Sequence, residues 1–159
     1  MGDNIWRPHV TVAAVAERDG RFLLVEERID GRLLYNQPAG HLDENESLIA
    51  AVAREAREET AWDFEPEALI GLYLWKEPTG GKTFLRAAFA GHCLRHHPQQ
   101  PLDAGIQRAL WLSRDEIAAL GGRLRSPLVL RCVDDYLRGC RYPLDVLQHL
   151  AATPDHRGS

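Results

Sequence analysis

Branched and aromatic residues alternate or cluster over 9–18 (HVTVAAVAER) and 21–28 (RFLLVEER), and Asp19-Gly20 separates the two runs. That pattern predicts a β-hairpin closed by a tight turn. Asp30-Gly31 marks a second turn, after which RLLYNQPAGHL passes through Pro38 and Gly40 into a loop. Apolar positions then switch to helical spacing from Ser47 to Thr60, with Asn45 or Ser47 as the N-cap. Strand-like runs follow at 68–77 and 82–94, joined by a turn containing Gly80-Gly81, and a short strand at 109–113. Ser113 and Glu116 have capping-box spacing for a further helix. A last helix is expected over 126–139, with Ser126 as cap and Pro127 in the first helical position. The expected architecture is an α/β layered domain: a mixed sheet, one central helix, two C-terminal helices, and helices on both sides of the sheet.

Composition narrows the class without changing the outline. At 159 residues, 45% hydrophobic and 26% charged, the chain is expected to form one globular domain over residues 1–150, with 151–159 as a loose tail. No apolar run reaches the roughly 18 residues of a membrane span, and the N-terminus lacks signal-peptide patterning. The net charge of −4, from 19 basic and 23 acidic residues, leaves no basic footprint for nucleic acid. Cys93, Cys132 and Cys140 are odd in number and show no CxxC spacing, which suits a reducing cytoplasm and no zinc site. His9, His92, His96, His97 and His149 also lack metal-ligand spacing.

Candidate chemistry concentrates on the central helix. At about 100° per residue, Glu55, Glu58 and Glu59 fall within roughly 100° of arc, along one margin of the stripe formed by Leu48, Val52 and Ala56. Like charges at these spacings repel, although Arg54 and Arg57 offset part of that. Helix chemistry alone leaves two readings open: a charged surface helix, or carboxylates gathered for a hard divalent cation, Mg²⁺ or Mn²⁺.

The flanking residues extend the pattern. Gly40, five spacers, Glu46, seven spacers, Arg54-Glu55, two residues and Glu58-Glu59 together resemble the signature of the Nudix hydrolases. One position departs from it, because Ala61 stands where the signature has a glycine. A left-handed helix end there costs alanine about 1 kcal/mol, so the helix is expected to end differently, helped by Asp63.

The resemblance implies an α/β/α sandwich that hydrolyses a diphosphate linked to another group. It implies Glu58 and Glu59 as main metal ligands, Glu55 as ligand or helper, and the Gly40 carbonyl as a further ligand. Arg54 would orient the carboxylates and Glu46 would brace the loop against the helix. A general base is often an acid in the loop before the penultimate strand, where Asp103 is the available carboxylate; a turn-forming aspartate is its alternative role, with Glu55 the stronger candidate base.

PHVTVAAVAERDGRFLLVEE, NQPAGHL, FLR and LRSPLV…YPLDVL further resemble the NudJ subgroup, which implies stepwise release of orthophosphate from nucleoside tri- and diphosphates or from hydroxymethylpyrimidine diphosphate. Two alternatives stay open: a pyrophosphohydrolase of dinucleotides or nucleoside diphosphate sugars, and a catalytically silent nucleotide-binding module. Arg86, on the strand face shared with Phe84 and Ala88, would hold phosphate or pair with a helix acid. Asn36 and Gln37 could hydrogen-bond a base, His41 could touch phosphate or pack the loop, and Trp75 and Tyr35 could stack on a ring or pack the core. The expected partner is thus a small phosphate anhydride. Oligomeric state is not encoded in any of these patterns.

Overall fold

The computed structural model describes residues 2–151. Most of the expected tail, 152–159, lies outside the described residues. Strands β1 (His9–Arg18) and β2 (Arg21–Ile29) form the hairpin predicted from Asp19-Gly20. Both turn residues have positive φ, 51° and 77°, the geometry whose twist matches two antiparallel strands. The same device recurs at Asp30-Gly31, which joins β2 to β3 (Arg32–Asn36).

The segment expected to dissolve into a loop after Asn36 instead makes one more short strand. β4 (Ala39–His41) pairs antiparallel with β1, placing Gly40 opposite Val12. Only a partner distant in sequence rewards three such residues with ladder bonds, so local pattern did not disclose them.

Helix α1 (Leu48–Thr60) starts at Ser47, whose hydroxyl accepts from the Ala50 N–H at 3.0 Å; Asn45, the other N-cap candidate, takes a left-handed turn with φ 64°. Its C-terminus corrects the sequence expectation. Ala61 does adopt the left-handed conformation, φ 60° and ψ 18°, and donates to the Arg57 carbonyl at 2.9 Å. The reason is burial: Ala61 is 2% exposed, and a buried methyl contributes about 0.8 kcal/mol, close to the roughly 1 kcal/mol of left-handed strain. Asp63 assists as expected, holding Arg57 at 2.6 Å and His97 at 2.8 Å.

β5 (Trp62–Lys76) begins directly after that cap, several residues earlier than its apolar run suggests. Asp63, Glu65, Pro66 and Glu67 look like loop in sequence, but β5 is an edge strand whose outer side needs no ladder donor. Three register shifts against β6 (Thr83–His96) absorb the irregularity, and Tyr142 bridges the outer edge at Leu69. β6 runs parallel to β1, and β7 (Ile106–Ser113) adds antiparallel to β2. The order β3-β2-β1-β6-β5, with β4 and β7 attached to β1 and β2, is the expected mixed sheet.

Alternation along the strands fills two cores. Val12, Ala14, Ala16, Leu23 and Phe89 face Ala51, Val52 and Ala56 of α1. Val15, Phe22, Leu24, Ala88 and Ala90 face Ile117 of α2 (Arg114–Ala119) and Val129, Cys132 and Val133 of α3 (Leu128–Leu137). Helices therefore cover both sides of the sheet. The Ser113–Glu116 capping box is present. α3 starts one residue later than expected, with Pro127 as N-cap, while the Ser126 hydroxyl still accepts from the Leu128 N–H. No helix among the described residues is long and apolar enough to cross a membrane.

Candidate active site

Because α1 lays its apolar stripe on β1 and β5, its acidic margin meets the loop and strand that precede it. Glu55 and Glu59 are largely buried, and Glu58 is partly exposed. Arg54 ties this margin together. Its guanidinium donates to Glu46 at 2.7 and 3.0 Å, to Glu55 at 2.8 Å, to Glu58 at 3.1 Å and to the His41 carbonyl at 3.0 Å. These bonds hold the Glu46 carboxyl below the usual carboxylate range and keep Arg54 cationic. Glu46 also accepts from the Asp43 N–H, so it joins the loop to the helix.

Gly40 sits against Glu55. A Cβ built there would lie 2.2 Å from the Glu55 carboxyl carbon, which makes glycine a requirement of contact and not of backbone angle. Glu59 turns toward the same loop and accepts from the Ala39 N–H at 2.7 Å.

Asp103 arrives from a separate part of the chain. Its N–H donates to the Glu58 carbonyl at 3.0 Å, and Gln100 clasps Arg57 through its side-chain amide at 2.5 and 2.7 Å. The structure thereby brings Glu55, Glu58 and Asp103 within 4.8 Å of one another, and leaves Glu59 beside the cluster on its pocket side.

These residues fit a divalent cation. Oxygens sharing one Mg²⁺ at about 2.1 Å are at most about 4.2 Å apart, so the cluster closes on an ion with a small side-chain shift. Burial pushes the Glu55 carboxyl up, and burial together with neighbouring carboxylates pushes Glu59 up to about 8. A cation reverses both shifts by favouring the ionised forms.

A pH dependence follows from the Glu59 value. The folded pKa is above the unfolded one, so between about pH 4.5 and 8 the folded state holds a proton that the unfolded state has lost. In metal-free protein this group's contribution to stability is therefore present at low pH and lost as pH rises through 8. Thermal melts in EDTA should show the Glu59→Gln variant losing less stability than wild type across that window, and Mg²⁺ should restore more wild-type stability at pH 8 than at pH 5. Equal pH slopes in the two proteins would remove Glu59 from this account.

On the α3 side of the sheet lies a cavity of about 230 Å³ that reaches Gly40 and Glu59. Asn36, His41, Trp75 and Arg86 all line it, while Tyr35 packs in the core and donates to Glu26 at 2.6 Å. The Trp75 and Phe84 rings stack at 6.0 Å and 22° on one wall. His41 contacts His9 at 3.3 Å, and burial pushes its pKa down, which favours the uncharged imidazole.

Arg86 corrects one expectation: it has no acidic partner among the described residues. Its guanidinium donates to the amide oxygens of Asn36 at 3.0 Å and Gln37 at 2.9 Å. Gln37 is corrected as well. It is 1% exposed, donates to the Val129 carbonyl at 2.7 Å, and stands behind Arg86 away from the cavity lining.

Sequence reasoning missed the wall formed by Arg125 and Ser126 and the acids Glu27 and Glu77. The one available signal was the Arg125-Ser126-Pro127 helix start, which carries capping residues and part of the subgroup resemblance but names no cavity contact by itself.

Known proteins resemble this chain in sequence and fold. A family model described as the NUDIX domain matches residues 6–131. Phosphatase NudJ of Escherichia coli (strain K12) is 44% identical over 144 residues, covering 90% of this chain and 92% of that protein. The structure of a NUDIX hydrolase from Nitrosomonas europaea superposes with a TM-score of 0.89 at 50% identity, covering 91% of this chain and 98% of the other. A MutT NUDIX hydrolase from Burkholderia pseudomallei, at 21% identity and a TM-score of 0.69 over 82% of this chain and 98% of its own, shares the fold.

Proposed function

The chain belongs to the Nudix hydrolase family of enzymes acting on phosphoanhydrides, and from that premise we propose that it is a Mg²⁺- or Mn²⁺-dependent phosphatase. Its substrates are nucleoside tri- and diphosphates or hydroxymethylpyrimidine diphosphate, from which it releases orthophosphate stepwise in the cytoplasm. Residues 1–150 act as one catalytic unit.

The observation that carries this reading is Arg86, a 5% exposed cation without a carboxylate partner among the described residues, which lines the same cavity as Gly40 and Glu59. A guanidinium placed this way matches a terminal or bridging phosphate. A cavity of about 230 Å³ is small beside the roughly 300–1,000 Å³ of many ligand sites, so it suits one ring better than a dinucleotide.

Glu55, Glu58 and Asp103, with Glu59 and the Gly40 carbonyl adjoining, would hold the ion. When bound, that ion neutralises phosphate oxygens and acidifies the attacking water. Arg54 fixes the rotamers of Glu55 and Glu58 before substrate arrives. Glu55 or Asp103 takes the proton from water, Arg86 holds a phosphate oxygen, and Asn36 and the Trp75 ring contact the remainder of the substrate. The similarity to Phosphatase NudJ supports single-phosphate release.

Assays of nucleoside di- and triphosphates and hydroxymethylpyrimidine diphosphate in Mg²⁺, with orthophosphate and pyrophosphate measured separately, test the reading. Orthophosphate from a nucleoside diphosphate is expected. Its absence, alongside cleavage of a dinucleotide or nucleoside diphosphate sugar into monophosphates, overturns it.

A further inference from the structure

We propose that Gln37 is a positioning residue that holds Arg86 toward substrate phosphate while leaving its charge unspent. The inference rests on the reading of Arg86 as a phosphate ligand and adds what makes that ligand effective.

Gln37 directly precedes the Pro38-Ala39-Gly40 stretch, yet its side chain turns inward to full burial. Its two amide ends have different partners. Nε2 donates to the Val129 carbonyl in the first turn of α3, and Oε1 accepts from Arg86. A carbonyl needs a donor and a guanidinium needs an acceptor, so only one amide orientation satisfies both. The side chain therefore joins α3 to the arginine on β6. Asn36 adds a second amide oxygen, and the Cys132 sulfur lies 3.9 Å from the same guanidinium nitrogen that Gln37 binds.

The chemistry of these partners matters more than their number. A buried arginine is ordinarily matched by a carboxylate, which orients it and also neutralises it. Neutral amide oxygens orient it and leave the positive charge for the cavity. Glutamate at position 37 would reverse this, pairing with Arg86 and placing a second oxygen against the Val129 carbonyl. The sequence reading of Gln37 as a base contact missed this role because its partners lie 49 and 92 positions away.

The test measures ADP binding by calorimetry without metal, and steady-state kcat and KM with Mg²⁺, for Gln37→Glu, Gln37→Met and Arg86→Gln. Combinations of each Gln37 variant with Arg86→Gln complete the set. Gln37→Glu is expected to weaken ADP binding and raise KM by about tenfold, with kcat much less affected. Gln37→Met removes the acceptor without adding charge and should act in the same direction; if the glutamate variant does not fold, this one decides. Neither change should weaken ADP further once Arg86 is glutamine, because the effect runs through Arg86.

Wild-type ADP binding in the Gln37 variants while Arg86→Gln binds poorly overturns the proposal. So does an undiminished effect of the Gln37 variants in the Arg86→Gln background. Wild-type binding by Arg86→Gln itself overturns the phosphate reading of Arg86, and the role of Gln37 with it. Absence of orthophosphate release by the wild-type enzyme is a separate failure, that of the proposed reaction.

Discussion

Glu58→Gln lowers kcat by about 10²–10³-fold while the protein stays folded. Glutamine keeps an oxygen that can still accept from Arg54, which bonds Glu58 at 3.1 Å, so the ion-pair hub loses little of its geometry. What disappears is one negative charge from the cluster of Glu55, Glu58 and Asp103. Steady-state kinetics in saturating Mg²⁺, with a thermal melt as the fold control and Mn²⁺ titration as the binding control, check the prediction. Wild-type turnover in this variant would end the assignment of the acidic cluster as the metal centre.

Gly40→Ala should lower kcat/KM by about 10–100-fold and weaken Mn²⁺ binding, again without unfolding. The Gly40 backbone pairs with Val12 in an ordinary ladder, and its φ lies outside the left-handed region, so alanine is acceptable to the main chain. The new methyl, however, would stand 2.2 Å from the Glu55 carboxyl carbon and 2.3 Å from both oxygens. That carboxylate is the free end of a side chain and can swing aside, at a stability cost of about 1–3 kcal/mol. In doing so it leaves its 2.8 Å bond to Arg54 and its place in the cluster. Undiminished Mn²⁺ affinity in the alanine variant would show that Glu55 is dispensable for the ion.

The parts legible in sequence are those fixed by local rules. Asp19-Gly20 and Asp30-Gly31 announced their turns through the φ values that such pairs tolerate. The acid margin of α1 was visible because helical spacing alone decides which glutamates share a face. Where the outcome depended on distant partners, the pattern was silent. β4 exists because β1 lies beside it, and the early start of β5 depends on its edge position and on the register shifts around Pro66. Ala61 shows a different limit: its strained conformation was judged from backbone preference, and the burial of its methyl could not be seen in one dimension. Asp103 could be nominated by its loop, but its meeting with Glu58 is arranged by Gln100 and Arg57. Of the two roles open to Arg86, a phosphate ligand or a partner of a helix acid, the second is not made among the described residues, because two neutral amides hold the guanidinium instead.

The cavity draws Asn36 from β3, His41 from β4, Glu59 from α1, Trp75 from β5, Arg86 from β6 and Leu128 from α3. Most of those walls belong to the central sheet. Ligand occupancy is consequently coupled to the integrity of the folded sheet that supplies these residues. A compound at 100 times its Kd would stabilise the native state by about 2.7 kcal/mol. The molecule thus carries its own reporter, in which resistance to heat or denaturant ranks ligands even when they are never turned over.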